Sequence, residues 1–200
     1  MKKIGILGGT LDPIHNGHLM IAECARDQLS LDEVWFMPTG NPPHKSNQNI
    51  SPNEVRKEMI ELAIEDNNNF KFSDFEYKRD GIIYTSDTMK LLKNAYKDTD
   101  FYFIMGADSL MYFKDWHKPE EIVLYCNLVV AGRDNDDSEL LREVAILEDK
   151  YNINIHVLKS PKICISSSDI RDYINNKFSI KYMVPDSVER YIKNKNLYVK

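Results

Sequence analysis

Apolar positions along this chain fall into short continuous blocks, separated by longer stretches in which they recur every three or four residues. The blocks Ile4-Gly5-Ile6-Leu7, Val34-Trp35-Phe36-Met37, Phe70 to Phe72, Phe101-Tyr102-Phe103-Ile104-Met105, Leu128-Val129-Val130 and Ile153-Asn154-Ile155-His156-Val157 read as strands. A further short strand, Ile163-Cys164-Ile165, is expected just before Ser166. Helical spacing runs from Leu19 to Leu29, through the stripe Val55, Met59, Leu62 and Ala63, through Met89, Leu92 and Ala95, and over Glu120 to Leu124 and Glu139 to Leu147. Pro52 suits the first turn of the second of these helices, and the side chains of Tyr84-Thr85-Ser86-Asp87 suit the cap of the third. Between Pro38 and Ser51 the chain is too polar and too rich in breakers to pack, so a long exposed loop is expected there. Strands that alternate with helices predict an α/β fold: a doubly wound, mainly parallel sheet with helices on both faces. Such sheets hold ligands outside the carboxyl ends of their strands, where residues 8–18, the loop after Met37 and Gly106-Ala107-Asp108 all fall.

Composition narrows the picture. With 200 residues, 42% of them hydrophobic, and no linker of Pro, Gly or Ser, one domain over 1–200 is expected, with a helical part at about 166–200. The formal charge of −5 argues against a protein that coats nucleic acid polymers, although a local group of His, Lys and Arg can still hold a small anion. No apolar run approaches the ~18 residues needed to span a bilayer, and Met1-Lys2-Lys3-Ile4-Gly5 lacks a signal-peptide core. A cytoplasmic protein without a membrane partner is expected, and a homo-oligomer is left open. Cys24, Cys126 and Cys164 are scattered singly and read as core thiols of a reducing compartment.

The chemistry concentrates in Gly8-Gly9-Thr10-Leu11-Asp12-Pro13-Ile14-His15-Asn16-Gly17-His18. Adjacent glycines let main-chain N–H groups come close to a ligand, and the unpaired donors at the start of the following helix favour an anion. His15 and His18 share one face there and can donate hydrogen bonds to oxygens gathering negative charge. Two histidines at this spacing could also bind zinc. That site would need further His, Cys or carboxylate ligands, and the thiols are not grouped to supply them. Neither GxxxxGK[ST] nor GxGxxG is present, so the two common explanations of an N-terminal glycine turn fail.

A second group stands near the end. Ser166-Ser167-Ser168-Asp169-Ile170-Arg171 has the ordinary look of a helix cap, but Arg171 one turn inside can join the hydroxyls and free N–H groups around a polyphosphate. Capping and phosphate binding both remain open for these serines. Two helix starts with phosphate-compatible donors suit a reaction that joins or splits phosphate groups.

Together, Gly-Gly-Thr-Leu-Asp-Pro-Ile-His-Asn-Gly-His and Ile-Ser-Ser-Ser-Asp-Ile-Arg resemble the paired signatures of the nucleotidyltransferase superfamily, whose sheet is Rossmann-like. The finer resemblance is to bacterial nicotinate-nucleotide adenylyltransferases, and Pro42-Pro43-His44-Lys45, Tyr84-Thr85, Gly106-Ala107-Asp108-Ser109-Leu110, Trp116 and the tail from Ser179 to Tyr198 extend it over nearly the whole chain. Leu11 stands where that family usually has Phe, and Ser168 where it usually has Thr; the apolar character and the hydroxyl are kept.

The resemblance implies transfer of the adenylyl group of ATP to nicotinate mononucleotide, giving deamido-NAD and pyrophosphate, with Mg2+ arriving on ATP and no metal ligand from protein side chains. By the same resemblance His15 and His18 lie on the ATP phosphates, with Gly8, Gly9 and Thr10 supplying close main-chain approach. Ser167, Ser168 and Arg171 hold the β- and γ-phosphates, and Gly106 and Asp108 hold the ribose. Lys45 is a catalytic phosphate ligand, and Tyr84, Thr85, Trp116 and Arg133 take the pyridine half. Three rivals remain: an adenylyltransferase for nicotinamide mononucleotide, one for phosphopantetheine, and a non-catalytic nucleotide sensor on the same scaffold.

Overall fold

Six strands and eight α-helices occupy the residues that the computed structural model describes, 1–40, 50–79, 81–132, 138–161 and 164–199. In chain order they are β1 (Lys2–Gly9), α1 (Asn16–Leu29), β2 (Glu33–Pro38), α2 (Asn53–Ile64), β3 (Phe70–Phe72), α3 (Thr85–Ala95), β4 (Thr99–Gly106), α4 (Ala107–Met111), α5 (Pro119–Tyr125), β5 (Asn127–Ala131), α6 (Ser138–Tyr151), β6 (Ile155–Leu158), α7 (Ser167–Asn175) and α8 (Asp186–Asn194). A 3-10 turn, Phe113–Asp115, separates α4 from α5.

The strands form one sheet in the order β3-β2-β1-β4-β5-β6, and every pairing in it is parallel. Parallel neighbours need crossover helices, and these divide between the two faces. Ala22 and Ala25 of α1, Met59 and Ile60 of α2, Ile170 of α7 and Val188 of α8 pack into one buried cluster. Met89 and Leu92 of α3, Ile122 of α5 and Leu140 and Val144 of α6 pack into the other. Both faces of the sheet are covered, which is why its central strands read as unbroken apolar blocks rather than alternating ones. The strand order reverses between β1 and β4, so a crevice opens beyond their carboxyl ends, at Gly9 and Gly106.

Several sequence expectations are corrected. Cys164 and Ile165 are not in a strand; they lead directly into the cap of α7, and β6 starts at Ile155 rather than Ile153. Cys164 is exposed and the other two thiols are only partly buried, so none is a fully enclosed core residue. The buried stripe of α2 is Arg56, Met59, Ile60, Ala63 and Ile64: Met59 and Ala63 are as expected, while Val55 and Leu62 are only partly buried against the same cluster. Pro52 sits just outside that helix, at its cap. Finally, Tyr84 is the cap residue of α3 but makes no side-chain capping bond, and Thr85 and Ser86 lie inside the first turn.

Candidate active site

After β1 the backbone turns sharply. Gly9 takes φ 135°, a conformation L side chains rarely adopt, and Leu11 follows at φ 51° with its side chain buried. The turn delivers His15 to the cap of α1 and His18 to its third helical position. Their rings stack at 3.7 Å between centroids. The main-chain N–H of His15 donates to Nδ1 of His18 at 3.2 Å, which leaves the proton of a neutral His18 on Nε2 as an outward donor. Burial lowers the pKa of His15 to about 4 against a smaller opposing pull from Asp169, and burial together with His15 holds His18 well below the usual imidazole value. Nδ1 of His15 is buried without a hydrogen-bond partner. The free site therefore presents two uncharged imidazoles to whatever enters.

The second helix start meets this turn directly. Ser166 alone does the capping, its Oγ accepting from the Asp169 N–H at 3.1 Å and donating to the Asp169 carboxylate at 2.6 Å. The other two serines are thereby released for other work. Ser167 Oγ donates to the Pro13 carbonyl at 2.8 Å, while Arg171 donates to the Asp12 carbonyl at 2.6 Å and to Ser168 Oγ at 3.1 Å. Beneath them the buried Asp12 carboxylate accepts from the Ser51 N–H at 2.9 Å and from the Tyr198 hydroxyl. Asn16 ties the same turn to the segment before α8, donating from its main chain to Met183 at 2.9 Å and from its side chain to Tyr182 at 2.7 Å. Residues more than 150 apart in sequence thus assemble one polar lip.

Two cavities open beyond the carboxyl ends of the strands, the smaller of them against His15. The smaller, about 100 Å³, lies between His15, Gly17, Gly106, Ala131, Ser160 and Ile165. The larger, about 650 Å³, is bounded by Thr39, Glu76, Tyr84, Thr85, Trp116 and His117. Trp116 is half-buried, edge-on to Phe103 at 5.9 Å, and Tyr84 stacks on His117 at 4.1 Å. Tyr84 gives α3 no side-chain cap, and Thr85, at the first position of that helix, lines this cavity. Gly106 caps the short α4 and Asp108 is exposed in its first turn. Gly8, Gly9 and Thr10 stand at the end of β1, opposite. Lys45 and Arg133 lie outside the described residues. Among the described residues no group of three His, Cys, Asp or Glu side chains could hold a metal ion, and no helix is long and apolar enough to cross a membrane.

The cytidylyltransferase-like family model matches residues 6–173. A "Probable nicotinate-nucleotide adenylyltransferase" of Clostridium botulinum (strain Eklund 17B / Type B) is 44% identical over 199 residues, covering 99% of this chain and 98% of its own. The chain belongs to the nicotinate-nucleotide adenylyltransferase family. A second member, from Clostridium acetobutylicum, is 43% identical over 200 residues and covers both chains completely. The fold is shared more widely: the structure titled "Plasmodium falciparum nicotinic acid mononucleotide adenylyltransferase complexed with NaAD" superposes with a TM-score of 0.81 at 23% identity, over 99% of this chain and 98% of that one. Within this adenylyltransferase fold, the residues that sequence reasoning left without a role are Asp12, Asn16, Arg56 and Tyr198. Asp12 and Asn16 sit inside the opening motif, whereas Arg56 shows its place only in the structure, on the buried face of α2 with Met59, Ile60 and Ala63.

Proposed function

We infer that the protein transfers the adenylyl group of ATP to nicotinate mononucleotide, releasing pyrophosphate and forming deamido-NAD. The observation that carries this reading is the meeting of the His15–His18 turn with Ser167, Ser168 and Arg171 around Asp12 and Pro13, with the smaller cavity against His15. Adenosine occupies the side of Gly106, and the pyridine nucleotide the side of Trp116. The mononucleotide phosphate is itself the nucleophile: one of its oxygens bonds to the α-phosphorus as the bond from that phosphorus to the β-phosphate oxygen breaks, and pyrophosphate leaves. No protein nucleophile is needed.

The chain's own residues position and neutralise. Ser167, Ser168 and Arg171 grip the outer phosphates, and His18 Nε2–H donates where charge builds at the α-phosphate. A divalent ion arriving with ATP would supply further neutralisation of the phosphate charge. Lys45 and Arg133 keep the phosphate and pyridine roles that the family resemblance implies. The open first turn of α3 favours an anionic carboxylate over a neutral amide, which supports nicotinate over nicotinamide mononucleotide.

Purified protein mixed with Mg-ATP and nicotinate mononucleotide should release pyrophosphate, faster than with nicotinamide mononucleotide or phosphopantetheine. Faster release with either alternative would reassign the acceptor. Binding of ATP with no pyrophosphate from any of the three would mark a nucleotide sensor.

A further inference from the structure

Arg56 is 1% exposed, yet no carboxylate among the described residues makes an ion pair with it. Its acceptors are neutral, and three of them are main-chain carbonyls. One nitrogen, Nη1, donates to the carbonyl of Thr10 and to that of Thr39, each at 2.9 Å. Nε donates to the Ser51 carbonyl at 3.1 Å and Nη2 to Asn53 Oδ1 at 2.6 Å, while the Tyr77 ring lies 5.2 Å from the guanidinium carbon. A buried cation held by neutral acceptors rather than by a direct ion pair is costly, so its retention calls for a reason beyond packing.

The three carbonyls supply that reason. Thr10 follows β1 in the turn that leads to His15, Thr39 follows β2 and walls the larger cavity, and Ser51 precedes α2. Each flank of the contact is gripped a second time. The peptide that carries the Thr39 carbonyl packs closely on the next segment, since a Cβ on Gly40 would stand 3.0 Å from the Glu76 carbonyl. The Ser51 N–H bonds to Asp12, and the Thr39 N–H to the Gly9 carbonyl at 2.9 Å. The guanidinium bonds to both strand-end turns, and its planar fork fixes the angle as well as the distance between them.

We propose that Arg56 is a positioning residue for adenylyl transfer: it touches neither substrate, and by holding the Thr10 and Thr39 carbonyls on one nitrogen it sets the spacing between the ATP-side turn and the pyridine-side wall. The proposal rests on the adenylyl-transfer reading above. Two phosphates must come together across this spacing, so an error in it falls on turnover more than on the binding of either substrate alone. Lysine carries one nitrogen in place of three and cannot reach four acceptors in a plane.

The test compares Arg56→Lys with the parent protein, measuring kcat, ATP affinity by calorimetry without the second substrate, and the melting midpoint. Parent activity comes first, since a parent that releases no pyrophosphate fails the underlying reading and not this one. With an active parent and a folded variant, the expected result is a kcat lower by about 100-fold with ATP affinity changed by less than about threefold. A kcat within about threefold of the parent, or an ATP affinity that falls as far as kcat, overturns the proposal. Should R56K not fold, Arg56→Ala is assayed with low-millimolar guanidinium chloride. A rate that rises while the melting midpoint stays fixed supports positioning. A rate that stays flat, or that rises only with the midpoint, assigns the residue to the fold and overturns it.

Discussion

His18 owes its usefulness to one hydrogen bond: by accepting the His15 N–H at Nδ1, it is left with a donor on Nε2 that needs no net charge to act. Removing a donor aimed at developing charge costs turnover rather than ground-state binding. Replacing His18 with Ala should therefore lower kcat by roughly 100- to 1,000-fold while ATP affinity changes little; equal losses would reject this placement of its contact. His15 leads to a pH prediction. Its pKa falls from 6.5 to about 4 on folding, so between those values the unfolded chain binds a proton that the folded chain does not. Stability is then full above 6.5 and declines as pH falls toward 4, by up to ~1.4 kcal/mol per pH unit for this group. The melting midpoint of the ligand-free protein should drop between pH 7 and pH 5, and His15→Gln should flatten that drop; a parallel fall in the variant would assign it to other groups. These two histidines were legible because their spacing after a glycine turn is itself a chemical pattern. Arg56 was not, because a single arginine near the start of an amphipathic helix looks solvated until the carbonyls around it are known.

At the scale of elements, the strands were legible because a sheet covered on both faces leaves apolar blocks that no helix period imitates. Helix starts were harder to read, since the same hydroxyl residues serve as caps or as ligand donors. Three adjacent serines divide these tasks in α7, where Ser166 alone completes the reciprocal bonds with Asp169. Ser166→Ala should cost about 1 kcal/mol of stability. In a chain of this length that lowers the melting midpoint by about 2–4 °C, and an unchanged midpoint would show that the cap contributes nothing. In α3 the expected side-chain cap is missing, because Thr85 and Ser86 begin the helix rather than precede it. Thr85, its first residue, lines the larger cavity alongside Trp116. Trp116→Ala should weaken mononucleotide binding and leave ATP binding intact; unchanged mononucleotide affinity would remove the stacking role.

For the whole molecule, sequence alone indicated a parallel sheet and its carboxyl-end crevice, because alternating strands and helices permit few other arrangements. It did not indicate how the C-terminal helices return to the first turn, since no local pattern encodes a hydroxyl meeting a carboxylate 186 positions away. Asp12, Pro13 and Asn16 are all held by residues beyond 165, namely Arg171, Ser167, Tyr182, Met183 and Tyr198. Closing loops of that length carries an entropic cost that local helix formation does not. On dilution from denaturant, helical circular dichroism should thus recover ahead of enzymatic turnover, with a lag between the two. Simultaneous recovery would mean that the earliest part of the chain reaches its working shape without waiting for the latest.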